Sequence, residues 1–200
     1  MSARQTPSQT VGPYFAYGLT ARQYGYGFDA IAGGSLAGQE IEGERIRIVG
    51  HVLDGKGIPV DDAMVEIWQA DAQGRYAHPA DPRGSNAAFK GFGRSGTGTD
   101  PANRFVFETV KPGRVPAPGG SEQAPHVNVI VFARGMLNHA FTRIYFSDEA
   151  AANDEDPVLA LVPAHRRRTL VAQREKTSLG VVYHFDIHLQ GDRETVFFDL

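Results

Sequence analysis

The stretch from Gln123 to Arg134 (Gln-Ala-Pro-His-Val-Asn-Val-Ile-Val-Phe-Ala-Arg) constrains this chain more than any other. Val127, Val129 and Val131 recur at every second position, and β-branched side chains suit a pleated surface, so the spacing predicts a buried strand. Period two places His126, Asn128, Ile130, Phe132 and Arg134 on the opposite face. A histidine, an amide and a guanidinium on an otherwise apolar strand need partners wherever water is excluded. That face is therefore either partly open or turned toward a site.

Other segments follow the same grammar. Arg45 to Leu53, Ala63 to Ala70, Arg104 to Val110, Phe141 to Phe146, Val181 to Leu189 and Thr195 to Asp199 read as strands. Turns close them at Asp54-Gly55-Lys56-Gly57, Asp71-Ala72-Gln73-Gly74 and Lys111-Pro112-Gly113. Asp148 to Asn153 suits a short helix with acidic residues in its first turn, and Leu170 to Glu175 suits helix or strand equally. Arg75 to Gly98 reads as a long, glycine-rich loop, a feature that compact domains reserve for function. Residues 1–43 show little periodicity. Between Thr6 and Phe15, Pro7, Gly12 and Pro13 rule out a helix interior, which suggests an arm used in assembly. The expectation is mainly β: an arm over 1–43 and one β-sandwich over 44–200 with long loops.

Composition sets limits on partners. Two hundred residues, 42% of them hydrophobic, suffice for the core of one such domain. A net charge of −3 supplies no basic field, which argues against nucleic acid and anionic membranes as partners. The chain has no cysteine, hence no disulfide, thiolate metal site or thiol nucleophile, in keeping with a reducing cytoplasm. The N-terminus lacks an apolar signal core and no apolar run reaches a membrane-spanning length, so a soluble, cytoplasmic chain is expected.

Two groups of residues could carry chemistry. His184, Asp186 and His188 share one face of a strand, a spacing that allows a metal site. The same alternation also makes an ordinary solvated face opposite Tyr183, Phe185, Ile187 and Leu189. Tyr76, at the mouth of the long loop, could offer a phenolate to a hard ferric ion or pack as a loop aromatic. Trp68 is expected in the core, while His51, His78, His139 and His165 stand alone and suggest no role. No nucleophile elbow, phosphate loop or His-Glu-x-x-His appears, and Gly93 to Gly98 joins no strand to a helix.

The segment Val65 to Tyr76 (Val-Glu-Ile-Trp-Gln-Ala-Asp-Ala-Gln-Gly-Arg-Tyr) resembles a signature of the intradiol ring-cleavage dioxygenases. So do Thr109 to Gly113, Ala124 to Val129 and Thr142 to Phe146, in the same order along nearly the whole chain. The Thr6 to Tyr14 arm and the Thr195 to Leu200 ending resemble α chains of the family's two-chain members. The resemblance implies a non-haem ferric ion held by two tyrosines and two histidines, a catecholic substrate, and O2-dependent ring opening between the hydroxyl-bearing carbons. Set against that pattern, Tyr76 is the first tyrosine, but Val115 stands at the second. The histidine pair reads His126-Val127-Asn128, and Gln123 stands where a nearby arginine belongs. Valine has no donor, and an amide oxygen is a weak ligand beside imidazole.

The resemblance therefore implies a chain that binds no metal, with Fe(III) held by a homologous β chain in an obligate hetero-oligomer of αβ units. It assigns the wall of the substrate pocket to Thr10, Gly12, Pro13, Tyr14 and Arg134 of this chain, with a small aromatic acid and O2 as co-reactants. Gly12-Pro13 would bring backbone close, Tyr14 would offer a hydroxyl and a ring, and Arg134 would pair with a carboxylate. From the residues alone, Arg134 could equally serve a surface or interface ion pair. Two rivals remain: an independent enzyme with a metal on His184, Asp186 and His188, and a non-enzymatic transthyretin-like or carbohydrate-binding sandwich.

Overall fold

Alternating burial organises the chain from residue 45 onward. The computed structural model describes residues 10–199 apart from 13, 29 and 85, so Thr6 to Gln9 and Pro13 lie outside the described residues. Its strands are β1 (Arg45–Leu53), β2 (Met64–Gln69), β3 (Phe92–Gly96), β4 (Arg104–Val110), β5 (Val115–Pro116) and β6 (Glu122–Gln123). They continue with β7 (His126–Phe132), β8 (Ala140–Phe146), β9 (Val171–Thr177), β10 (Gly180–His184) and β11 (Ile187–His188). Two short helices are α1 (Phe15–Leu19) and α2 (Ala150–Glu155). No helix among the described residues is long and apolar enough to cross a membrane.

The strands follow the order β11-β1-β10-β9-β8-β7-β2-β3, with β4 paired to β1, and β5-β6 form a separate ribbon. The path changes layer at β9, which pairs along its length with β10 but meets β8 only through Val171 and Ala172. Ile48, Phe105, Phe107 and Tyr183 thereby face Val65, Ile67, Val127, Val129 and Ile144 in one continuous core. This is the expected β-sandwich.

Several elements depart from the sequence reading. β3 lies inside the expected loop: Phe-Gly-Arg-Ser-Gly has weak strand preference, yet it pairs with Met64 to Trp68, and pairing overrides propensity. β7 starts only at His126, because Pro125 has no N–H to enter the ladder. The ambiguous Leu170 to Glu175 segment resolves into β9, and Val181 to Leu189 divides into β10 and β11, both parallel to β1. Thr195 to Asp199 contributes only a single bridge, Phe198 to Phe141. Asp148 and Glu149 precede α2 rather than occupying its first turn. They hold the Lys111 ammonium at 2.7 and 2.6 Å. Packing also begins before residue 44: Leu36 and Ile41 belong to the core, and Gln23 docks its segment by accepting from Gly96 N at 2.7 Å.

Gln69 ties the two layers together. Its side chain is fully buried; Nε2 donates to Val110 O at 2.9 Å and Ala70 O at 3.0 Å, while Oε1 accepts from Thr109 Oγ1 at 3.0 Å. Beyond this tie the two turns nest. Gly113 N donates to Asp71 O at 2.9 Å, and a Cβ on Gly113 would lie 2.5 Å from Ala72 O. Gly74, at φ +73°, would carry its Cβ 1.8 Å from Arg114 O. Only glycine fits at both positions, and the nest sets Tyr76 beside Val115. Gln69→Ala leaves the Thr109 hydroxyl and Val110 carbonyl buried without this partner and should cost about 2–4 kcal/mol. Urea unfolding checks this; an unchanged midpoint would contradict it.

Candidate functional site

Tyr76 is placed by two carboxylates. Asp71 Oδ1 accepts from Gln73 N and Arg75 N, both at 2.9 Å, which closes the turn after β2. Asp81 Oδ2 then accepts from Tyr76 N at 2.9 Å, and the hydrogen-bonded Arg83 guanidinium holds the Asp81 carboxyl far below the usual carboxylate range. The phenol enters a cavity of about 680 Å³ lined by Trp68, His78, Arg83 and Val115 among others. Its ring stacks on Trp68 with centroids 5.7 Å apart. Trp68 is thus half-buried at the cavity rather than a core residue, because β2 turns it to the outer face.

His126 and Asn128 arrive from β7. His126 is 3% exposed, its Nδ1 lies 2.8 Å from Ala124 O, and burial pushes its imidazole down to about 4, aided by the Arg143 charge. Asn128 donates from Nδ2 to Trp68 O at 3.4 Å. Burial pushes the Tyr76 phenol up, with Arg143 and then Asn128 acting to lower its pKa. Arg143 itself sits opposite Asn128 on β8 and donates from Nη1 to Gln123 Oε1 at 2.7 Å. Sequence reasoning gave Arg143 no role, although a lone arginine in the apolar run Phe141 to Phe146 was a signal.

These residues do not fit a ferric ion. Val115 is buried and has no lone pair to offer, and the Asn128 amide, a weak ligand beside imidazole, donates to Trp68 O. Tyr76 and His126 remain, half of the donor set that the family resemblance calls for. The alternative trio fares no better. His184 Nε2 pairs with Glu175 at 2.7 Å, and Asp186 Oδ1 accepts from both N and Nδ1 of His51 at 2.9 Å. No group of three His, Cys, Asp or Glu among the described residues converges as a metal site.

The remaining expected residues meet at the other end of β7. Gly135 N donates to Thr10 Oγ1 at 3.1 Å, Phe15 N donates to Gly12 O at 3.1 Å, and the Phe15 ring packs 5.8 Å from Phe132. Tyr14 stands 82% exposed. The Arg134 side chain is 67% exposed and pairs with Asp61 at 3.1 Å and Asp62 at 3.3 Å. β7 runs six steps from His126 to Phe132, roughly 20 Å of extended strand, and Arg134 lies in the turn beyond it. The structure thus separates Thr10, Gly12, Tyr14 and Arg134 from the Tyr76 cavity of the same chain. Between the two ends, Ile130, Phe141, Phe198 and the 81%-exposed Leu161 line an apolar depression on the outer sheet face.

Comparison with known proteins follows this geometry. A family model described as "Dioxygenase" matches residues 34–191. A protocatechuate 3,4-dioxygenase alpha chain from Burkholderia cepacia is 54% identical over 198 residues, 98% of each chain. A protocatechuate 3,4-dioxygenase beta chain from the same organism is 35% identical over 160 residues, 74% of this chain and 66% of that one. In fold, the chain resembles the solved intradiol ring-cleavage dioxygenase from Tetranychus urticae, with a TM-score of 0.60 at 20% identity, covering 93% of this chain and 94% of the other.

Neutral His126 should make stability depend on pH. The unfolded chain takes up a proton near the ordinary 6.5 and the folded chain only near 4, so stability falls as pH drops through that window, by about 3 kcal/mol. Unfolding free energies measured from pH 7 to 4 should fall more steeply in the parent than in His126→Gln. Equal slopes would show that His126 does not titrate this way.

Proposed function

The chain belongs to the intradiol dioxygenase family, and from that premise we propose that it is the α-type subunit of a protocatechuate 3,4-dioxygenase. The reaction is O2-dependent cleavage of 3,4-dihydroxybenzoate between its hydroxyl-bearing carbons to 3-carboxy-cis,cis-muconate, with both oxygen atoms entering the product. The family uses iron, and in this proposal a separate homologous β chain holds it. This chain supplies part of the pocket wall and the assembly surface. The distribution of residues along β7 carries the reading. Thr10 and Arg134 gather beyond the Phe132 end of β7, away from the His126 end that serves the chain's own Tyr76 cavity, and this supports a pocket that belongs to another chain.

Each proposed residue has a part in that pocket. Thr10 is fixed to Gly135 beside Arg134, and Gly12 begins the turn into α1, which presents Tyr14 to whatever covers it. Pro13 joins them by position in the sequence. Arg134 is aligned by Asp61 and Asp62 through Nη2 and Nε, which leaves further guanidinium N–H groups for the substrate carboxylate. The apolar outer face at Ile130, Phe141, Phe198 and Leu161 suits the large interface of an obligate partner. A chain without cysteine works unchanged in a reducing compartment, and we place the assembly in the cytoplasm.

The test is co-expression with the candidate β chain. Ring cleavage should require both chains, and Arg134→Ala should raise KM for 3,4-dihydroxybenzoate by roughly ten- to a hundredfold, the worth of a charge-assisted pair. Residual activity on catechol, which has no carboxylate, should be unaffected. An equal loss on both substrates, or none on either, would remove Arg134 from the substrate site.

A further inference from the structure

A third cavity, of about 590 Å³, opens between the turn before β9 and the loop after β11. It shares no lining residue with the Tyr76 cavity or the apolar sheet face. Arg166, Arg168 and Arg193 all line it. The acids in the lining are Asp186 and Asp192, and one oxygen of Asp186 already accepts both His51 donors. The chain as a whole carries a net charge of −3, so this concentration of cations is local.

The arginines are short of acceptors. The Arg168 and Arg193 guanidinium groups make no ion pair or hydrogen bond with any described residue. Arg166 donates from Nη2 to Glu194 O at 2.8 Å, but its Nε is closed off from water with no partner among the described residues. Thr195 adds a further donor: its 1%-exposed side chain accepts from His188 N at 3.0 Å, leaving the hydroxyl hydrogen available. Burial, and then the Arg193 charge, push the neighbouring His188 imidazole down, against the opposing pull of Asp186.

We propose that this cavity binds a small multivalent oxyanion, a phosphate or a di- or tricarboxylate. Forked guanidinium groups suit such anions, because each can offer parallel N–H donors to two oxygens. The site would neutralise Arg168 and Arg193, which line the open cavity. None of its residues is assigned to substrate, so this proposal and the dioxygenase reading stand or fall separately.

The test is calorimetric titration of the full chain, in the assembly in which it purifies, with inorganic phosphate and separately with citrate, at ionic strength held constant with chloride. Saturable binding of either is expected, and the tighter of the two identifies the source of the oxyanion. The double variant Arg168→Gln/Arg193→Gln should weaken that binding about tenfold or more, while its melting temperature without anion stays the same or rises. If the double variant does not fold, Arg193→Gln alone, in an exposed loop, should still weaken binding. Absence of saturation up to about 20 mM anion, or equal affinity in parent and variant, would overturn the proposal. So would a variant that loses its partner chain while binding anions normally, since the cavity would then hold a neighbour's acidic segment.

Discussion

The buried amide of Gln69 is the tie on which the placement of the site depends. It joins the end of β2 to the end of β4 across the sandwich, and the two turns that follow those strands then have no freedom to drift apart. Their nesting, which tolerates only glycine at positions 74 and 113, sets Tyr76 and Val115 in one cavity. A buried valine side chain fills a position where the family pattern has a phenol.

The electrostatics of that cavity are those of a neutral site. Burial disfavours charge on both Tyr76 and His126, so the phenol stays protonated and the imidazole unprotonated at neutral pH. Arg143 acts on both groups, and among the described residues its charge is met by the Gln123 carbonyl oxygen and pairs with no carboxylate. A ferric centre with phenolate ligands needs the opposite balance, several anions converging on one highly charged cation. Replacing donors at positions 115 and 128 thus changes the charge logic of the cavity as well as its ligand count. At the far end of β7, Tyr14 and Arg134 stand exposed, with Arg134 paired to Asp61 and Asp62.

Much of this was legible in the sequence, and what was hidden has physical causes. β1 and β4 run over the residues that alternation marks, because each has one face in the core and one outside. The valine face of β7 is equally clear. β3 was invisible because its glycines and arginine carry no pattern, and only its pairing with β2 makes it a strand. β9 was ambiguous because most of it is exposed, so no buried period distinguishes it. At the site, the family resemblance picked out positions 115 and 128, and valine and asparagine there are poor ligands. The role of Arg143 and the alignment of Arg134 by Asp61 and Asp62 depend on residues far apart in the chain, which no local pattern reports.

The central claim is that this chain takes part in ring cleavage without an iron site of its own. The most direct measurement is iron content and visible absorbance of the chain expressed alone and then exposed to excess ferric iron. The account predicts colourless protein that retains no iron after desalting, because Tyr76 and His126 are too few donors. Stoichiometric iron with the visible absorption of a ferric tyrosinate would contradict it, and would mean that Tyr76 and His126 recruit ligands that this arrangement does not provide.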